Sequence, residues 1–180
     1  MDITQVILDD HAEQRRLFAA LEDIGPDHPD VLAVVWKRLR ALLDTHAEAE
    51  EQLFYPALLE LGHRLHDSDE DEETEDAVHD HNEIRDAAEA VEGETAGTDA
   101  WFAAVAKANE VNGDHMAEEE REGLTDFRRH VSFEERHDLA IRFLAFESNH
   151  MLGVKPVDKD PEEYVKDGGP GDQKGAGSES

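Results

Sequence analysis

The sequence predicts an all-α protein, an antiparallel up-down four-helix bundle with an additional C-terminal helix and a disordered tail. Three observations carry this. Apolar residues recur at helical spacing and no segment alternates as a half-buried strand would. Breaker clusters, Gly25-Pro26 and the run GETAGTD from Gly93 to Asp99, separate the periodic stretches at the spacing of helical hairpins. Finally, the chain repeats itself: Asp10-His11-Ala12-Glu13-Gln14-Arg15 aligns with Asp80-His81-Asn82-Glu83-Ile84-Arg85, and Thr45-His46 through Glu50-Glu51 aligns with Asp114-His115 through Glu119-Glu120.

The first helix is expected from Ile3 to Ile24, with Ile7, Leu8, His11, Phe18 and Leu21 on one broad face. Asp30 has the chemistry of an N-cap for a long second helix reaching about Gly62, whose stripe contains Leu39, Leu42, Leu43, His46, Glu50 and Leu53. Pro56 lies inside that pattern, and a proline there removes one backbone bond and clashes with the preceding turn, so a kink or bulge is expected. The run DSDEDEETED at 67–76 has eight acids in ten positions. It lacks the turn glycine of a calcium loop and reads as a solvated loop and helix start. The third helix follows from about Glu73 to Glu92. The fourth runs from about Asp99 through Trp101, Ala104, Ala108, Val111 and His115 to about Arg129. Ser132 and Glu135 form a capping-box pattern for a fifth helix ending near His150. From Gly153 the chain is rich in Gly, Pro, Ser and charge, the composition of a disordered tail; the domain is expected to occupy 1–152 and the tail 153–180.

Composition narrows the function. The 180 residues contain 17 basic and 46 acidic side chains, a formal charge of −29. Such a surface does not suit nucleic acid, whose phosphates need a basic footprint. No apolar run approaches the roughly 18 residues of a membrane span, and the N-terminus lacks the pattern of a signal peptide, so a cytoplasmic location is expected. The absence of Cys removes thiolate zinc sites, iron–sulfur clusters and thiol catalysis. With six Lys against that many acids, the protein should repel itself, and salt should relieve the repulsion.

Eleven His in so acidic a chain point elsewhere. His46 and Glu50 are four residues apart, as are His115 and Glu119, so each pair projects from one helix face. His11 and His81 lie on the preceding helix of each hairpin. At about 1.5 Å per residue, His11 and His46 stand roughly 20 and 24 Å from the same bundle end. Four imidazoles and two carboxylates converging at mid-bundle suit first-row metals such as iron, zinc or manganese, and two carboxylates between two His pairs can bridge two cations. His81 is preferred to His79 because it shares its face with Val78, Ile84, Ala88 and Val91. The remaining His (28, 63, 66, 130, 137 and 150) are expected at the surface. Glu-x-x-His pairs of the ferritin type, Glu60/His63, Glu134/His137 and Glu147/His150, fall at mismatched heights and are set aside.

The pattern His11 … His46-x-x-x-Glu50-Glu51-x-x-Phe54-Tyr55-Pro56 … His81 … His115-x-x-x-Glu119-Glu120, over about residues 5 to 130, resembles the hemerythrin-like (HHE cation-binding domain) family. The resemblance implies a non-heme centre of two iron ions (Fe2+/Fe3+) with an oxo or hydroxo bridge. His11 and His46 would serve one iron, His81 and His115 the other, with Glu50 and Glu119 between them and an open position for O2, NO or H2O2. Oxygen-carrying hemerythrins have a fifth His one turn from the third-helix His. Here Ala77 and Arg85 stand at that spacing, and Thr125 replaces the proline matching Pro56. The four-His pattern is closer to the bacterial hemerythrin-like proteins, which points to sensing, scavenging or storage rather than simple O2 carriage. A di-iron peroxidase or catalase-like enzyme and a metal-free structural bundle are the alternatives. Tyr55 is a further candidate ligand: a π-bulge near Pro56 would bring residues five apart, Glu50 and Tyr55, onto one face.

Overall fold

In a computed structural model, residues 1–65 and 69–170 are described, with only the backbone given for Asp69 and Glu70; they contain helices and no strand. His66, part of the acidic run and residues 171–180 lie outside the described residues. Helix α1, Ile3–Ile24, starts where the Asp2 side chain accepts from the Thr4 amide. It stops at Gly25, whose φ of 69° favours glycine. Helix α2, Pro29–Ala49, begins with Pro29 at its first position after His28, which makes no side-chain cap; Asp30, expected as the cap, sits in the first turn instead. A proline at that position supplies a preset φ and lacks only an amide that would be orphaned anyway, and the Val31 amide bonds the His28 carbonyl at 3.0 Å in place of a side-chain cap.

The bulge expected near Pro56 is a π turn, Glu50–Phe54, followed by α3, Tyr55–Leu65. The Tyr55 amide donates to the Glu50 carbonyl, the five-residue bond that defines the π turn. Helix α4, Asp69–Glu92, starts earlier than the expected Glu73. Helix α5, Asp99–Arg121, is capped by the Thr98 hydroxyl, which accepts from the Trp101 amide. The fourth expected helix breaks at Glu122 (φ −110°, ψ −84°) and resumes as α6, Gly123–His130. Thr125, the counterpart of Pro56, marks that break by donating to the Glu120 carbonyl at 3.1 Å. Helix α7, Phe133–Asn149, opens with the reciprocal Ser132/Glu135 capping box.

The tail expected from Gly153 is ordered as far as the described residues reach, to position 170. Residues 153–160 run extended across the bundle into α8, Pro161–Asp167. The segment is tied down by Asn82, which donates to the Lys159 carbonyl (2.7 Å) and accepts from the Lys159 amide (3.1 Å). Tyr164, 4% exposed, enters the core and donates its hydroxyl to the Glu51 carbonyl. Composition misleads here because one buried aromatic and a few directed bonds anchor an otherwise polar strap.

Helices α1, α2 with α3, α4 and α5 form the up-down bundle, with α7 against α1 and α2. Its core is two clusters. One, at the end holding the helix-to-helix turns, contains Leu21, Leu32, Trp36, Val91, Trp101 and Val105. The other contains Ile3, Ile7, Phe54, Leu58, Val78, Phe127 and Phe143. The buried histidines lie between them with Glu50, Glu51 and Glu119.

Candidate metal centre

The helices bring all six sequence-predicted ligands together in the gap between the clusters. His11, His46, Glu50, His81, His115 and Glu119 are each at most 7% exposed. His11, His46 and Glu50 each offer a ligand atom within 4.8 Å of the others, and so do Glu50, His81 and His115. Glu50 therefore belongs to both groups. Its Oε1 is 3.1 Å from His46 Nε2 and its Oε2 is 3.3 Å from His81 Nε2. Glu119 faces His11, Oε2 to Nε2 at 3.3 Å, and stands outside both triads. His81 Nε2 is also 3.2 Å from His115 Nε2.

The π turn puts Tyr55 at this centre. With five residues between Glu50 and Tyr55, regular α geometry would turn the phenol away, whereas the extra residue in the turn brings it round. Its hydroxyl is 3.3 Å from His81 Nε2 and the ring is 1% exposed. Burial, reinforced by Glu119, Glu50 and Glu51, holds the phenol well above the usual tyrosine range.

Around the centre is a second set of charges that obeys the repeat. The outer nitrogens, Nδ1, of His11 and His81 donate to Glu120 (2.9 Å) and Glu51 (2.8 Å). Arg15 and Arg85, at matching repeat positions, hold the same two carboxylates at 2.8 and 2.7 Å. Asp10 stands 3.5 Å from His46 Nδ1, and Asp80 stands 3.5 Å from His115 Nδ1. A carboxylate on the outer nitrogen turns the inner nitrogen toward the centre and strengthens it as a ligand. Ligand spacing does not pick out these six residues, but the aligned Asp-His … Arg and Glu-Glu pairs of the repeat carry their signal. Lys159, which bonds Glu48 at 2.8 Å and also pairs with Glu51, had no signal because it lies in the segment that reads as tail.

The charge balance follows. Burial opposes ionisation of Glu51, but His81, Arg85 and Lys159 prevail and bring its pKa to about 2. Burial likewise works against a charged His46, yet Glu50 and Asp10 lift it well above the usual histidine range. Glu50, against its own burial, is held low by His46 and His81.

These residues fit a cation. The inner nitrogens of His11 and His46 and both carboxylate oxygens of Glu50 and Glu119 are buried without a hydrogen-bond partner. Orphaned buried polar atoms are costly, and so many at one point mean a missing partner of positive charge. Atoms each bound about 2.1 Å from one ion at right angles would lie roughly 3 Å apart, close to the 3.1–3.3 Å contacts found here. The other described histidines stay away: His28, His63, His79 and His130 are exposed, while His137 and His150 bond the carbonyls of Met1 and Phe146.

An all-α bundle holding buried His/carboxylate clusters of this kind defines a cation-binding helical domain. The hemerythrin HHE cation binding domain matches residues 2–141, and the chain belongs to that family. No curated protein and no solved structure matches it. Among the described residues no helix is long and apolar enough to cross a membrane.

Proposed function

We propose that the protein holds two iron ions and binds a small ligand, O2, NO or H2O2, as a sensor, scavenger or store. The observation that carries the reading is Glu50, a buried carboxylate without hydrogen-bond partners that is shared by two ligand groups. His11 and His46 would hold one ion and His81 and His115 the other, with Glu50 and Glu119 spanning them. When bound, such a pair supplies redox electrons and an open coordination position. The chain's own residues do the rest. Glu120 and Glu51 orient the imidazoles of His11 and His81, Asp10 and Asp80 stand behind those of His46 and His115, and the two apolar clusters close the bundle above and below the site. Tyr55 would serve the His81/His115 side as a phenolate ligand, because its hydroxyl is the oxygen donor nearest His81 apart from the carboxylates.

Metal analysis of protein from iron-supplemented cells tests the reading. Close to two irons per chain, lost in Glu50→Ala/Glu119→Ala, is expected; little metal in the wild type after anaerobic ferrous reconstitution would overturn it in favour of a structural bundle. For Tyr55, the oxidised protein should show a visible phenolate-to-iron charge-transfer band that Tyr55→Phe abolishes. An unchanged spectrum removes Tyr55 from the ligand set.

A further inference from the structure

A cavity of about 370 Å³ reaches the centre from the α4/α5 face, where it is also lined by Leu58 and Gly123. Its inner end is made by Tyr55, His115 and Glu119. Further out it is lined by Glu72, Asp76, Glu118 and Glu122, with no Lys or Arg among its described lining residues. At the outer edge the exposed Arg121 pairs with Glu122 at 2.8 Å and with Glu118 at 3.8 Å. Acids alone would be an ordinary solvated surface. The independent observation is Glu119: 7% exposed, it reaches into the inner end with neither carboxylate oxygen hydrogen-bonded.

We propose that this cavity is a charge-selective entrance, which draws divalent cations to the centre and admits neutral small ligands while slowing anions. The proposal rests on the metal-centre reading. A passage with acids on its walls and low-dielectric protein behind them focuses its field inward. A cation moving along it exchanges one carboxylate for the next, with Glu119 the innermost. Oxygen, NO and H2O2 carry no charge and cross the same field freely, whereas azide, nitrite and superoxide meet repulsion. The entrance thus selects by charge between ligands of similar size.

The test uses the full metal-free chain and two variants with equal change in formal charge. One neutralises the entrance: Glu72→Gln/Asp76→Asn/Glu118→Gln/Glu122→Gln. The other neutralises four exposed acids at the opposite end of the bundle: Glu22→Gln/Asp23→Asn/Glu89→Gln/Glu94→Gln. Cobalt(II) uptake is followed by absorbance in stopped flow, and azide association is followed on the loaded protein. In low salt the entrance variant should take up cobalt about tenfold more slowly and bind azide faster by a similar factor. Both effects should shrink near 1 M salt, where screening is about 3 Å. The distant variant should differ from wild type by less than about twofold. Opposite signs for cation and anion are the signature, since simple damage to the site would move both the same way. Equal rates in the two variants, or shifts of the same sign for both probes, overturn the entrance while leaving the metal centre in place. A wild type that takes up no cobalt overturns the metal centre, and the entrance with it.

Discussion

Tyr164 offers the sharpest test of whether the C-terminal strap belongs to the folded unit. Its ring is 4% exposed and packs in the cluster containing Phe54, Leu58 and Val78, while its hydroxyl bonds the Glu51 carbonyl inside the π turn. Replacing a buried aromatic with alanine costs about 3 kcal/mol or more when the cavity cannot collapse. For a chain of this length each kcal/mol moves the melting temperature by about 2–4 °C, so Tyr164→Ala should melt about 6–12 °C below the wild type. Tyr164→Phe keeps the ring and loses one hydrogen bond, about 1 kcal/mol. Leu152→Ala, at a residue 96% exposed just before the strap, is the control and should stay within about 0.5 kcal/mol. Urea and thermal unfolding of the metal-free protein read all three. A Tyr164→Ala change no larger than the Leu152→Ala change would refute the reasoning, because the strap would then not be docked.

Three further outcomes can be checked in the same material. Glu51 has a folded pKa of about 2 against its ordinary 4.5, so its stabilisation is full above about pH 4.5 and disappears as pH falls through 2. That gap is worth roughly 3 kcal/mol at neutral pH, and in metal-free protein Glu51→Gln should flatten the acid side of the stability curve; an unchanged acid slope would count against it. A Cβ at Gly123 would meet Leu58 at 3.5 Å and Glu119 at 3.9 Å, ordinary contact distances, so Gly123→Ala should fold normally. Gly123→Phe should obstruct the entrance and slow azide and cobalt alike, in contrast to the charge variants; stopped flow distinguishes the two. Asn112 donates to Gln14 at 3.0 Å, both buried. Asn112→Ala should cost about 2 kcal/mol by stranding Gln14, and Gln14→Leu/Asn112→Leu should recover most of it in denaturant melts.

What was legible in the sequence was what repeats or punctuates. The offset of 70 residues from His11 to His81 and of 69 from His46 to His115 gave both the hairpin architecture and the six central residues. Pro56 announced the π turn, and with it the arrival of Tyr55 beside His81. The α5–α6 break had no such herald: Thr125 breaks the helix by competing for the Glu120 carbonyl, a local bond that composition does not reveal. The strap was hidden for a related reason. Lys159 and Tyr164 matter through partners far back in the chain, Asn82 and above all Glu51, and no periodicity encodes such a contact.

The repeat would make the centre two-fold symmetric, and what was added to the repeat removes that symmetry. Each half contributes the same Asp-His … Arg helix and the same His-x-x-x-Glu-Glu helix, and one inner contact, Glu119 to His11 and Glu50 to His81 at 3.3 Å, matches across the pseudo-axis, while Glu50 alone joins both ligand groups. The surroundings do not match. On the α1/α2 face, α7 sets the buried Phe143 edge-on to His46, with ring centres 6.0 Å apart, and closes that side. The strap closes the outer side of Glu51, where Lys159 adds a cation that Glu120 lacks. The α4/α5 face carries no such cover, and the helix break at Glu122 leaves Gly123 beside the opening. Tyr55 stands at the inner end of that same opening, while its repeat counterpart, Leu124, has no hydroxyl to offer. Two ions held in the two halves would thus meet different surroundings, one beneath Phe143 and one facing the phenol and the acidic passage. In the proposed centre a small ligand arriving through that passage would reach the His81/His115 side first, so the pair would be polarised by Tyr55 and by the additions to the bundle.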